Sequence, residues 1–340
     1  MAFTENLDEP RTLSLNSCLC GVAKGEFEPH ISREESRYVT RLCLNKKREN
    51  GITCQDPDKE LFLDEIDGLD FLTVQIRQGS GIILPGMIPI AHRKFFDTEI
   101  PPESIPLIGV SLKDVLMSDL RNYAGELHPP TDLHLKRDIL QKRIFEGKEV
   151  ILFMAGQDTL IEALWYEREE IDLFQVLASM GFTAITGANF SVFEGECGFQ
   201  QQSCQKKSLK FIELATKHGM RVIPHFYALH DGHAGRAVEW LRNNVSIDTI
   251  TINCQLQRRS EADMKKVRWF AKYIFENLGR DIHIIFQGAG ARQLMNLSDH
   301  QQYVHVASAG PFYQQLFPKM GQRSGMILPL ISHSSSVLSK

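Results

Sequence analysis

The sequence predicts a TIM-type (β/α)8 barrel carrying a polar, cysteine-containing N-terminal extension. Three observations predict it. From Lys148 onward, short apolar runs alternate strictly with long amphipathic stretches, giving six strand-like runs in a row. Two further apolar runs upstream bring the count to eight. The 340-residue length also suits a single barrel of 250 residues or more with an appendage. An open doubly wound sheet is the competing arrangement, since strict alternation also fits it.

The first expected strand is Gly81 to Leu84, continuing past Pro85 to Ile90, and the second is Pro106 to Val110. A helix over Asp132 to Phe145 leads to the third, Glu149 to Ala155, whose unbroken EVILFMA reads as a strand covered on both faces. Leu160 to Met180 has helical spacing, with Ile161, Leu164, Trp165, Ile171, Phe174 and Leu177 on one stripe and Gly181 as its cap. The remaining strands are Phe182–Thr186, Arg221–Phe226, Asp248–Asn253, Ile282–Phe286 and Tyr303–Ala307. Between them lie helices over Lys207–Lys217, Gly235–Asn243, Ala262–Leu278 and Ala291–Leu297. Strand and helix in alternation imply parallel pairing through right-handed crossovers. The expected organisation is an extension over residues 1–75, a barrel over 76–330 and a flexible tail over 331–340.

Bulk properties narrow the function. A formal net charge of −4 excludes a protein that coats nucleic acid by charge alone, while leaving room for a local basic groove. No apolar run approaches the length of a membrane span, and the N-terminal stretch has acidic residues where a signal peptide would be basic. The seven cysteines do not look like a secreted disulfide framework. A cytoplasmic location, with no membrane partner, is the expectation. Protein partners or a homodimer are left open.

In such a barrel the active site gathers at the carboxyl ends of the strands. That rule selects Asp158 after the third strand, Asn189 after the fourth, and His225, Tyr227 and Asp231 after the fifth. It selects Asn253 and Gln255 after the sixth, Gln287, Gly288, Gly290 and Arg292 after the seventh, and Ser308 after the eighth. This amide-rich ring suits a heteroaromatic or sugar-like ligand. Asp158, His225 and Asp231 are the candidate catalytic groups, because carboxylates and imidazoles move protons. Asp158 and Asp231 also fit as first-turn helix carboxylates. The HFYALHDGH cluster of 225–233 could alternatively ligate a metal in a hydrolase, although it lacks a zinc signature. QGAGAR at 287–292 could cradle a phosphate with backbone N–H groups, or simply form a tight turn. Cys18, Cys20, Cys43 and Cys54 could hold a structural zinc that stabilises a core-poor extension, or be buried thiols.

The stretch IHIIFQGAGARQLMNL, followed by YVHVASAG, resembles the end of tRNA-guanine transglycosylase-like barrels, including their DNA-modifying relatives. ILFMAGQD is similar to the family's first active-site strand, which ends in an aspartate and glycines. The resemblance covers about half the chain. It implies a nucleobase, nucleotide or nucleic-acid substrate, chemistry at a glycosidic bond, and Asp158 as the base-recognising carboxylate. Two features depart from the family. The chain reads Val306-Ala-Ser308-Ala-Gly310 where the nucleophilic aspartate is expected, and no cysteine follows Cys254 to form the C-terminal zinc site. Those departures favour divergent chemistry or binding without catalysis. The leading expectation is a divergent barrel enzyme, and the alternative is a catalytically silent barrel acting as a binding or regulatory module in a larger assembly.

Overall fold

The computed structural model describes residues 66–100, 103–116, 134–156, 158–192, 198–255 and 257–310, with the backbone alone at 158, 159, 166, 198–200 and 259. Eight parallel strands run in chain order: β1 (Met87–Ala91), β2 (Leu107–Ser111), β3 (Glu149–Phe153), β4 (Ala184–Thr186), β5 (Val222–Ile223), β6 (Thr249–Asn253), β7 (His283–Gln287) and β8 (Val304–Ser308). Their spatial order, β5-β4-β3-β2-β1-β8-β7-β6, is a ring cut between β5 and β6. A parallel bridge between His225 and Thr251 joins the cut edges. There the Thr251 N–H donates to the Pro224 carbonyl at 2.7 Å, and the Phe226 N–H to the Thr251 carbonyl at 3.0 Å.

Register confirms closure of the TIM type. Stepping from Asn253 through Gln287, Ala307, Ile88, Leu107, Glu149 and Phe182 arrives at Gly219. The His225–Thr251 bridge instead sets Asn253 opposite Tyr227. The chain has therefore slipped by about eight residues around the ring, the shear of an eight-stranded TIM barrel.

Alternation along each strand separates two apolar layers. Ile88, Ile90, Leu107, Ile151, Phe153, Ala184, Ile223, Ile285 and Ala307 fill the barrel. Their outward neighbours, such as Ile108, Leu152, Ile250 and Phe286, pack under the helices. Inside, Gly109 has a packing role, since a Cβ there would stand 2.5 Å from Cε2 of Phe153.

The helices are α1 (Leu112–Val115), α2 (Asp158–Glu167), α3 (Leu173–Met180), α4 (Gly198–Lys217), α5 (Asp231–Asn243) and α6 (Glu261–Asn277). Several differ from expectation. The stripe over 160–180 is two helices, because the acid-rich Glu167–Asp172 stretch breaks the helix and Asp172 takes φ +48°. Arg168 folds back over the Trp165 ring, 4.2 Å from its centroid. In place of a helix over 132–145, the described part has 3-10 turns at Ile139–Gln141 and Arg143–Phe145, separated by extended Lys142. Its buried residues are Leu135, Ile139, Ile144 and Phe145, and the i,i+4 spacing of the first two is not continued by the last two. The segment 291–297 is likewise 3-10, continuing to Tyr303. α4 and α5 start earlier than expected, at Gly198 and Asp231.

Gly81–Leu84 is no strand. Ser80 is held by Asp248 and Thr249 at 3.0 and 3.3 Å, and Gly81 turns with φ +55°. Ile82 thereby enters the barrel floor while Ile83 is exposed. Upstream, Ile66, Phe71 and Val74 are buried in the outer core. The Trp240 indole donates to the Val74 carbonyl at 2.9 Å, and Asn244 accepts from the Ile76 N–H at 2.7 Å. Residues 66–75 thus pack on the barrel, within the stretch assigned to the extension.

Candidate functional site

Inward-pointing residues at the carboxyl ends of the strands build the mouth. Ile223, Ile285 and Ile90 face inward, so two residues onward His225, Gln287 and His92 continue the same side. The outward Ile250 and Ile252 put Thr251 and Asn253 inward, and Leu107 does the same for Gly109 and Ser111. A shear of about eight over eight strands raises each strand by about one residue relative to its neighbour. On that basis His92, Ser111, His225, Asn253 and Gln287 lie within about one residue of a common height. The tertiary fold therefore brings three of the predicted positions, His225, Asn253 and Gln287, to one ring.

His225 is buried, and burial pushes its pKa down to about 4, opposed only in part by a hydrogen bond to the Thr251 backbone. Its Nδ1 lies 3.5 Å from the Thr251 hydroxyl, whose hydrogen points towards the Pro224 carbonyl at 3.4 Å. A hydroxyl donating to a carbonyl has a lone pair left for Nδ1–H. His225 is thus a neutral imidazole whose Nε2 carries the lone pair. Gly187 allows this approach, since a Cβ there would sit 2.9 Å from the His225 amide nitrogen.

Gln287 is 3% exposed, and its Nε2 meets no hydrogen-bond partner among the described residues. An amide left in that condition costs roughly 1–3 kcal/mol until a ligand or water satisfies it. Asn253, its register partner, accepts from the Gln255 N–H at 3.0 Å, which fixes the turn beyond β6. Half-buried Tyr227 has its phenol raised by burial, against a hydrogen bond from Gln257, so it serves as a neutral hydroxyl.

Other predicted positions are placed elsewhere or already engaged. Asp158 opens α2 at the end of β3, and its side chain lies outside the described residues. Asp231 is exposed in the first turn of α5, where a carboxylate meets the helix dipole. The Asn189 N–H donates to Met154 O at 2.9 Å, tying the β4 loop to β3. Two N–H groups of the 288–290 turn are engaged: Gly288 donates to Ala307 O at 2.7 Å and Gly290 to Gln293 Oε1 at 2.8 Å. Gly288, at φ +84°, also leaves room for the Gln255 side chain, so the tight-turn role accounts for this glycine. Arg292 is exposed, and the Ser308 hydroxyl accepts from the Gly310 N–H at 3.1 Å.

Among the described residues, no group of three or more His, Cys, Asp or Glu side chains is arranged to hold a metal. His230 and His233 lie with ring centroids 3.9 Å apart and planes tilted by 38°, and burial holds His233 near pKa 4. Cys254 is pushed up to about 12 by burial and is an inert thiol. Cys18, Cys20, Cys43 and Cys54 lie outside the described residues.

The mouth also contains a pair that sequence reasoning missed. His92, just past β1, places Nδ1 3.2 Å from Oδ2 of Asp114 in α1, just past β2. Only the strand-end rule applied to β1 and β2 could have found it, and neither AHRK nor SLKD carries a motif.

No family model matches the chain, and no curated protein matches it. Among solved structures it is similar to a Streptococcus agalactiae protein described as a candidate copper homeostasis protein, CutC. That likeness has a TM-score of 0.38 and 11% identity, and covers 67% of this chain and 99% of the other. It is too distant to carry a function. The barrel assignment rests on strand order, closure and shear. Among the described residues, no helix is long and apolar enough to cross a membrane.

Proposed function

We propose that the barrel mouth binds a planar nitrogen heterocycle of the nucleobase class by its lactam edge and acts at the glycosidic bond attached to it. The observation that carries this reading is the unmatched Gln287 Nε2 in the inward wall. Its hydrogens call for a ligand carbonyl, and the Nε2 lone pair of neutral His225 calls for a ligand N–H. A lactam offers both on adjacent atoms. β5 and β7 are two strands apart, so their backbones stand about 10 Å from each other, a gap that inward side chains and one ring can fill. The neutrality of His225 supports uncharged ring recognition over anion capture. Tyr227 and Asn253 are the further polar groups of the rim.

Calorimetric titration with guanine, hypoxanthine and adenine tests the reading. The two lactams should bind, adenine should bind at least about tenfold more weakly, and Gln287→Leu should weaken guanine by a similar factor, the scale of one lost hydrogen bond to a buried group. Equal affinities for all three bases, or an unaffected Gln287→Leu variant, would overturn it. Release of guanine from guanosine, followed by chromatography, tests the glycosidic step. A second reading, binding without turnover, is favoured by one observation: Ser308 stands in a stretch with no carboxylate, and its hydroxyl is engaged by Gly310. Guanine binding without base release would select it.

A further inference from the structure

We propose that His92 and Asp114 are the proton-transfer pair of the mouth, with His92 as the catalytic residue and Asp114 as the residue that positions it. The proposal deepens the base-binding reading and rests on it for the identity of the substrate. Four observations carry it. His92 extends the inward side of β1 at the height of His225, Asn253 and Gln287. Its side chain is 25% exposed, whereas the Asp114 side chain is only 8% exposed. Asp114 is doubly held, Oδ2 accepting from His92 at 3.2 Å and Oδ1 from the Arg93 N–H at 3.3 Å. The turn carrying it is braced by the Arg93 guanidinium, which donates to the backbone carbonyls of Lys113 at 2.9 Å, Asp114 at 3.3 Å and Leu116.

A carboxylate only accepts, so Nδ1 of His92 bears the hydrogen and Nε2 bears the lone pair. The buried carboxylate fixes the ring orientation and stabilises the imidazolium formed when Nε2 takes a proton, a division of labour that recurs in His–carboxylate pairs. In hydrolysis of a bound nucleoside, a water proton passes to Nε2 as the water oxygen bonds to the anomeric carbon. The C–N bond breaks and its electron pair leaves on the base nitrogen. The imidazolium then returns the proton to that nitrogen, so water and nucleoside become sugar and base with no other reactant. Of the two imidazoles among the described residues of the mouth, His225 is buried and recognises the ligand, while His92 is the more exposed and is braced for chemistry.

Three measurements on the full chain test the pair. In long-range 1H–15N spectra at pH 7.5, neutral His92 should appear with its hydrogen on Nδ1, and Asp114→Asn should remove that preference. Carbethoxylation of His92 by diethyl pyrocarbonate should slow at least about tenfold in Asp114→Asn, and guanosine should protect the wild-type residue. Guanosine hydrolysis should lose about 10²–10⁴-fold in kcat in His92→Gln, the usual weight of one acid–base group, with KM within about twofold. A hydrogen on Nε2, or a carbethoxylation rate indifferent to Asp114→Asn, overturns the pair. Calorimetric binding of guanosine that leaves His92 unprotected also overturns it, by placing the ligand elsewhere. If guanosine neither binds nor reacts, the base-binding reading fails, and the spectrum and the Asp114→Asn rate still decide whether the pair exists. His92→Gln guards against a folding defect in Asp114→Asn, because it leaves Asp114 its contact with the Arg93 N–H.

Discussion

His305 accepts a hydrogen bond from His283 at the floor of the barrel: Nε2 of His305 lies 2.9 Å from Nδ1 of His283, while its own Nδ1 lies 2.8 Å from the Pro85 carbonyl. The carbonyl can only accept, so Nδ1 of His305 donates and Nε2 must receive the His283 hydrogen. Protonating His305 puts a second hydrogen into that contact in a site already costly for charge, and burial pushes its pKa down to about 4.

Acid should therefore unfold the protein early. His225, His233 and His305 all sit near pKa 4, depressed below the ordinary value of 6.5. The unfolded chain binds protons that the native chain refuses. Stability is complete above pH 6.5 and falls as the pH drops from 6.5 towards 4, by up to ~3 kcal/mol per histidine. Urea midpoints at pH 7.5, 6 and 5 should decline steadily, and His305→Gln should flatten the slope. A midpoint unchanged between pH 7.5 and 5 would show these rings are not held neutral.

Gly109→Ala should destabilise the barrel by ~1–3 kcal/mol, the usual cost of overpacking. The added carbon would lie 2.5 Å from Cε2 and 3.0 Å from Cδ2 of Phe153. Adding Phe153→Leu should recover part of the loss. Additive effects of the two changes in chemical denaturation would mean the residues do not share that space.

The buried pair of Lys207 and Glu162 should be costly to halve and cheap to replace. Both residues are buried, and the ammonium lies 4.2 Å from the centroid of the Phe190 ring. Lys207→Met takes the ammonium away from a buried carboxylate and should cost ~3–5 kcal/mol, most of it recovered on adding Glu162→Leu. Melting temperatures of the two variants check this, and a double variant no better than the single one would count against it.

A chain shortened to begin at residue 66 should keep the lace of contacts along α5. One beginning at 77 loses buried Ile66, Phe71, Val74 and Ile76 and the hydrogen bonds to Trp240 and Asn244. At ~1.5–3 kcal/mol per large buried side chain, that loss rivals the whole stability of a typical domain. Limited proteolysis should degrade the shorter chain first, and equal resistance would place the boundary near 76.

Strand positions and side-chain direction were legible in the sequence, because they depend on local period. EVILFMA and DTITIN read as strands wherever they are, and alternation alone sends Thr251, Asn253 and Gln287 to one side of their strands. Local pattern misled where a tertiary partner overrode it: Gly81–Leu84 looks like a strand until Asp248 pins Ser80 and Ile82 drops into the floor. The single stripe over 160–180 hid a break at an acidic turn, where Arg168 packs over Trp165. The mouth itself belongs to the tertiary structure. His92 and Asp114 are 22 residues apart in unremarkable segments, and Gln287 is 62 positions from His225. What brings them to one height is strand tilt and a shear of about eight, properties of a closed ring that no segment of the chain contains.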